Sequence, residues 1–316
     1  MKRRKTITDW VNEYVTRRQA LGFRMETEKG ELMRFAHYVT ERGKQGPLTQ
    51  AIMLEWLGGS PNASRTYQAR KLASLRSFSK YLAIYEPRTE IPPAKLFGRT
   101  GSRPAPHIYS DQELFELFRA CERARPPGGL RCRTYRLLFG LLAVTGMRVS
   151  EALKLNNREV DLDNGVLRVQ DTKFRKSRLV PLHLSTTRAL RQYVLARDTH
   201  HPAPQSEAFL LSEKGGRLPY RTVQGFFRDI RERLGWDHQR GGRAPRIQDL
   251  RHTFACRRIL AWYEQGLDVE PRIPSLSTYL GHAKVTDTYW YLTGSAELFS
   301  IAGQRFEQFA GKGKRP

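Results

Sequence analysis

The sequence is short of cysteine, of acidic residues and of long apolar runs, and each shortage excludes something. Three cysteines, Cys121, Cys132 and Cys256, are an odd number, and none forms a Cys-x-x-Cys pair. A disulfide framework and a zinc site are therefore not expected, and a reducing, cytoplasmic setting fits. No stretch approaches the ~18 apolar residues that a membrane span requires, so no membrane partner is expected. The basic start, Lys2-Arg3-Arg4-Lys5, leads into a polar, helix-like segment instead of an apolar one, which excludes a secretory signal. Internal repeats and low-complexity tracts are absent as well.

Acidic residues are outnumbered: 31 Asp and Glu face 55 Lys and Arg in 316 residues, a formal net charge of +24. An excess of that size points to a polyanionic partner, of which nucleic acid is the commonest. Residues 1–104 hold 20 basic and 9 acidic side chains, a net of +11, and the remainder carries +13. Both halves share the excess, as expected if both touch the same DNA.

The apolar pattern is mainly helical. Trp10, Val11 and Tyr14, then Leu32, Phe35 and Val39, recur at helical spacing. Between Arg65 and Leu82, Leu72, Leu75, Phe78 and Leu82 form one apolar stripe. On the same helix Arg65, Arg76 and Lys80 fall within roughly 60° of one another at ~100° per residue, a basic face able to lie along a DNA groove or simply to meet solvent. Residues 1–88 read as one helical domain. Residues 89–107, rich in Pro and Gly, read as a linker, and residues 108–316 as a second domain. In that domain helices resume near Asp111, and Tyr135–Thr145 is strongly apolar. One short β region stands out: Val160–Leu162, an Asp163-Asn164-Gly165 turn, Val166–Val169, and Arg178–Leu182 after a basic loop. The fold class expected is mainly α with a small antiparallel sheet, in two domains.

Four separated clusters carry groups suited to phosphate chemistry. In Thr145-Gly146-Met147-Arg148-Val149-Ser150-Glu151 a helix ends and restarts around Gly146, which puts Arg148 near a helix N-terminus, where an anion is favoured. The planar guanidinium grips two phosphate oxygens at once, and Glu151, three residues on, is placed to orient it. The hairpin loop Lys173-Phe174-Arg175-Lys176 offers a lysine that reaches a groove or delivers a proton to a leaving oxygen. Gln248-Asp249-Leu250-Arg251-His252 supplies a second guanidinium. Leu280-Gly281-His282 is followed nine residues later by Tyr291, a nucleophile suited to a reversible link to phosphate. A phenol titrates near ~10 and needs help to lose its proton, which two nearby arginines supply.

Together and in this order, TGMRVSEAL, the strand–TKFRKSRLVPL hairpin, DLRHTFA, and LGH with a tyrosine nine residues on resemble the tyrosine recombinases, the phage integrase family, over nearly the whole chain. The resemblance implies a two-domain DNA clamp, a helical core-binding domain over residues 1–88 and a catalytic domain over 108–316. Arg148 and Arg251 match the arginines that bind the scissile phosphate. Lys173 matches the general acid on the leaving 5′ oxygen, with Lys176 as runner-up. His282 matches a phosphate hydrogen-bonding position, Tyr291 the nucleophile that forms a 3′-phosphotyrosyl link, and Glu151 the acidic residue that supports the site. Arg65, Arg76, Lys80, Arg175 and Lys176 are the candidate DNA-binding residues. The implied chemistry needs no metal and no cofactor. The implied partner is double-stranded DNA with an inverted-repeat core site, held by a homotetramer; the amphipathic terminal segment 296–309 either docks on a neighbouring subunit, as the family often does, or packs on its own domain.

One position departs from the family pattern. Gln248 stands where histidine is usual; glutamine donates a hydrogen bond to phosphate but cannot hold a proton. His252 lies one helical turn along on the same face, although the LRH string is common in the family and favours a structural reading. STYLGHAKVTDTYWYL, with Trp290 before the tyrosine, resembles recombinases of transposons and other mobile elements. That favours transposition or cointegrate resolution, with room for an accessory protein that no motif names. The first domain begins almost at residue 1, which argues against a lambda-type integrase with an arm-binding domain. A type IB topoisomerase and a non-catalytic DNA-binding relative are the alternatives.

Overall fold

A computed structural model describes residues 5–44, 46–60, 63–97, 105–124, 126–170, 177–203, 205–236 and 244–293. The chain divides into two compact units, residues 1–103 and 104–316. The hairpin-loop residues Lys173, Arg175 and Lys176 and the terminal segment 296–309 lie outside the described residues.

The described residues of the first unit form four helices: α1 Ile7–Ala20, α2 Glu26–Glu41, α3 Gln50–Gly58 and α4 Arg65–Leu82. The caps are written in the sequence. Thr6 and Asp9 form a reciprocal capping box on α1, and the Ser64 hydroxyl accepts from Tyr67 N–H on α4. The apolar stripes meet in a common core in which Val11, Phe35, Met53, Leu75 and Phe78 are fully enclosed. Tyr14 meets Phe78 edge-on at 5.6 Å, and Phe35 meets Trp56 at 5.3 Å. On α4 the stripe Leu72, Leu75, Phe78 and Leu82 is buried, while Arg65 and Lys80 are exposed and Arg76 is half-buried. The start of the Pro-rich stretch lies against this same core. Thr89 and Pro92 are buried, Glu90 N–H donates to the Leu48 carbonyl at 2.8 Å, and Phe97 packs on the apolar cluster.

The second unit opens on Tyr109, whose N–H donates to Thr253 Oγ1 at 2.9 Å and whose hydroxyl donates to the Arg246 carbonyl at 3.0 Å. Its helices are α5 Asp111–Glu122, α6 Leu130–Thr145, α7 Val149–Lys154, α8 Leu184–His200, α9 Tyr220–Arg233, α10 Asp249–Glu264, α11 Ile273–Leu280 and α12 Thr286–Tyr289, the last running into a 3-10 turn, Trp290–Thr293. Helix α6 is apolar from Leu137 onward and buries Leu130, Tyr135, Leu138, Phe139, Leu141 and Leu142, while Arg133 and Arg136 of its first half are exposed. Such a helix belongs at the centre of a unit, and α5, α8 and α10 all pack on it. Strands β1 Val160–Asp161, β2 Val166–Val169 and β3 Arg178–Pro181 form an antiparallel sheet in sequential order, with Val166 opposite Pro181 and Val169 opposite Arg178. The first turn is closed by Asp161, whose carboxylate accepts from Asn164 N–H and Nδ2.

The break between α6 and α7 places Arg148 at the N-cap of α7. Gly146 adopts φ +62°, and its N–H still donates to the Leu142 carbonyl. A Cβ at Gly146 would lie 2.4 Å from the Phe254 ring and 3.0 Å from Leu280, so glycine is needed for the close approach as well as for the dihedral. Gly146→Ala is expected to destabilise the second unit by about 1–3 kcal/mol from backbone strain alone, with the steric overlap adding to it. Urea unfolding of the two proteins checks this, and equal midpoints would show that the turn is not a constraint.

Candidate active site

Helix α11 ends where the chain needs donors. The last carbonyls of a helix have no intrahelical partner and carry partial negative charge. Here three consecutive carbonyls each accept from a different arginine. Arg178 Nε donates to Tyr279 at 2.8 Å, Arg251 Nη2 to Leu280 at 2.7 Å, and Arg148 Nη2 to Gly281 at 3.2 Å. Gly281, at φ +69°, turns the chain out of the helix. The arginines come from β3, from the first turn of α10 and from the N-cap of α7. Arg251 also donates Nη1 to the Gly146 carbonyl at 2.8 Å, tying the α6–α7 break to α11.

Glu151 lies among these cations and is 7% exposed. Its Oε1 accepts from Arg148 Nη1 at 2.8 Å and Arg178 Nη1 at 3.2 Å. Its Oε2 accepts from Arg148 N–H at 2.9 Å and Arg178 Nη2 at 2.7 Å. Burial pushes this carboxyl up, but Arg178 first, then the Arg148 N–H and guanidinium, outweigh it and bring the pKa to about 2. Arg251 is 2% exposed. Burial, reinforced by Arg148, lowers its pKa to about 10, while Tyr291 and Glu151 favour its charge.

Tyr291, in the final 3-10 turn, is 2% exposed, whereas Tyr289 is 41% exposed. The Tyr291 ring lies between two imidazoles, stacked on His282 with centroids 5.9 Å apart and tilted on His252 at 5.4 Å. His282 follows Gly281 directly, and its Nδ1 is 2.7 Å from Thr288 Oγ1, which is itself fully buried. Burial first, then Arg251 and Arg148, lower the His282 pKa to about 4, so its ring is neutral at pH 7.

The structure thus brings Arg148, Glu151, Arg251, His282 and Tyr291 to one place. Gln248 is half-buried at the start of α10, and its backbone carbonyl accepts from Arg251 N–H. His252 is buried against Trp290 and Tyr291, the surroundings of an aromatic packing residue. Arg65, Arg76 and Lys80 belong to the first unit. Two members were not singled out in the sequence. Arg178 was visible only as the first residue of a strand, and Thr288 only as part of the aromatic string before Tyr291. Among the described residues no cluster of His, Cys, Asp and Glu is arranged to hold a metal ion, and no helix is long and apolar enough to cross a membrane.

The depressed His282 pKa sets a direction for acid stability. The folded chain prefers the neutral ring, so this contribution is complete above the ordinary value of 6.5 and is lost as the pH falls toward 4. Glu151 follows over a lower window, from 4.5 toward 2. In unfolding measured between pH 7 and 4, His282→Gln is expected to flatten the loss of stability relative to the parent chain. Parallel curves would contradict this.

Comparison with known proteins gives the family and the fold. Residues 109–297 match the model of the phage integrase family. The Sinorhizobium fredii (strain NBRC 101917 / NGR234) protein y4rE, named as an integrase/recombinase, is 40% identical over 298 residues, covering 93% of this chain and 94% of its own. Chlamydia caviae tyrosine recombinase XerC is 28% identical, covering 75% of this chain and 70% of its own. The fold is shared with the Tn1549 transposon integrase in complex with a circular intermediate DNA, at a TM-score of 0.68 and 15% identity, covering 97% of this chain and all of that one. With a buried tyrosine set beside two arginines and a histidine from distant segments, the chain belongs to the phage integrase family and is a tyrosine site-specific recombinase.

Proposed function

We propose that this recombinase cuts and rejoins double-stranded DNA through a 3′-phosphotyrosyl link made by Tyr291. The observation that carries the reading is the convergence of Arg148, Arg251, His282 and Tyr291 on the end of α11 from segments up to 143 residues apart. Arg148 and Arg251 are the phosphate clamps. Their paired charge stabilises both the phenolate and the oxygens of the transition state. His282, neutral and fixed by Thr288, contributes a hydrogen bond to the phosphate, and Gln248 a second one. Tyr291 O attacks phosphorus, its proton passes to solvent, and the bond to the 5′ oxygen breaks as Lys173 protonates that oxygen, with Lys176 as the neighbouring alternative. The phosphotyrosyl bond keeps the energy of the phosphodiester, so a 5′ hydroxyl from a second duplex reverses the step.

The same reading gives Arg65, Arg76 and Lys80 of the first unit, with Arg175 and Lys176 of the hairpin loop, the task of holding the DNA backbone. Exchange between two duplexes calls for four subunits on DNA, and 296–309 is the candidate link between them. The Trp290-Tyr291 string supports service to a mobile element, in transposition or cointegrate resolution, acting on an inverted-repeat site in the cytoplasm.

Trapping covalent protein–DNA complexes on nicked duplexes, drawn from the DNA flanking the gene and from a randomised pool, tests the reading. The parent chain is expected to form a denaturant-resistant complex, Tyr291→Phe none, and Tyr289→Phe a normal amount. No complex with any duplex would favour a non-catalytic binding protein, and supercoil relaxation without recombinant products would favour a topoisomerase. Gln248→His is expected to speed cleavage by up to ~10²-fold, the effect of supplying a proton acceptor. An unchanged or slower rate would show that the glutamine is no handicap.

A further inference from the structure

Of the three arginines at the end of α11, Arg178 takes no direct part in the proposed phosphate chemistry. It opens β3 and could have met solvent, yet its side chain is 10% exposed and makes three hydrogen bonds, one to the end of α11 and two to Glu151. The neighbouring turn is shaped around it. A Cβ on Gly281 would fall 2.7 Å from Arg178 Nη1, and Gly281 is the residue whose carbonyl accepts from Arg148.

Charge explains what such a residue does. Without Arg178, Glu151 would face Arg148 as a one-to-one ion pair, drawing that guanidinium inward and cancelling its charge. With Arg178 present, one carboxylate is shared by two guanidiniums. The surplus positive charge falls on the more accessible of them, Arg148, whose side chain is 28% exposed. We propose that Arg178 is a positioning residue that occupies Glu151 and the end of α11, so that Arg148 keeps both its orientation and its charge for the scissile phosphate. Arg178 is the leading influence holding the Glu151 carboxyl ionised against burial, which agrees with this division of labour. The proposal rests on the phosphotyrosyl reading above, in which Arg148 is a clamp.

The test is single-turnover cleavage by the full chain on a nicked duplex that the parent protein links efficiently, with duplex affinity and thermal unfolding measured on the same preparations. Arg178→Gln is expected to slow cleavage about 100-fold through misplacement of Arg148, with affinity unchanged, and Arg178→Lys to recover part of the rate. A 5′-phosphorothiolate duplex, whose sulfur departs without protonation, should leave Arg178→Gln slow, because the loss lies in the grip on the phosphate oxygens. In a Glu151→Gln background the further change Arg178→Gln should add little. Cleavage at the parent rate would overturn the proposal. So would rescue by the phosphorothiolate, which would make Arg178 act on the leaving group, or a proportional loss of affinity, which would make it a DNA contact. Failure of both Arg178 variants to fold would reduce the residue to a purely structural one. Failure of the parent chain to link any duplex would instead defeat the phosphotyrosyl reading, and the proposal with it.

Discussion

Three guanidiniums on three successive carbonyls tie distant segments of the second unit to the end of α11. The C-terminal end of α11 presents carbonyls that the helix itself cannot satisfy, and Arg178, Arg251 and Arg148 reach them from β3, α10 and α7. Long side chains from distant segments therefore do the work that a cap residue usually does locally. The fold and the proposed phosphate site are consequently one construction, because the bonds that fix α11 also concentrate positive charge beside it. Arg251 shows the tension most clearly: burial and Arg148 act against its charge, and the Gly146 and Leu280 carbonyls keep it in place.

The cations need a counterweight that does not cancel them, and Glu151 supplies it. One buried carboxylate between two guanidiniums lowers their mutual repulsion while leaving net positive charge. Burial first, and then the same cations, keep the His282 ring neutral at pH 7, and its Nδ1 lies in hydrogen-bonding reach of the Thr288 hydroxyl. Tyr291 is packed between His282 and His252, beside the guanidinium of Arg251, with its ring withdrawn from solvent.

Much of this was legible in the sequence where information is local. The stripe Leu72–Leu82 with Ser64 before it marks α4, the Asp163-Asn164-Gly165 turn marks the hairpin, and Gly146 marks the break between α6 and α7. The convergence of Arg148, Arg251, His282 and Tyr291 was legible only through their order and their resemblance to a family, since no spacing rule joins residues so far apart. Arg178 escaped because its partners lie 27 and 101 residues away, and an arginine at a strand start looks like any surface charge. Composition marked 89–107 as irregular but could not show that Thr89, Pro92 and Phe97 lie on the first unit's core, since burial depends on what the rest of the chain presents.

The choice of Tyr291 over Tyr289 carries the whole chemical account, because only Tyr291 is buried with the arginines and histidines while Tyr289 faces outward. Mass spectrometry of the nucleotide-linked peptide, after proteolysis of a trapped covalent complex, locates the attachment atom by atom. With Tyr291 as the nucleophile, the phosphonucleotide is expected on Tyr291 alone. A nucleotide on Tyr289, or on any other side chain, would contradict it.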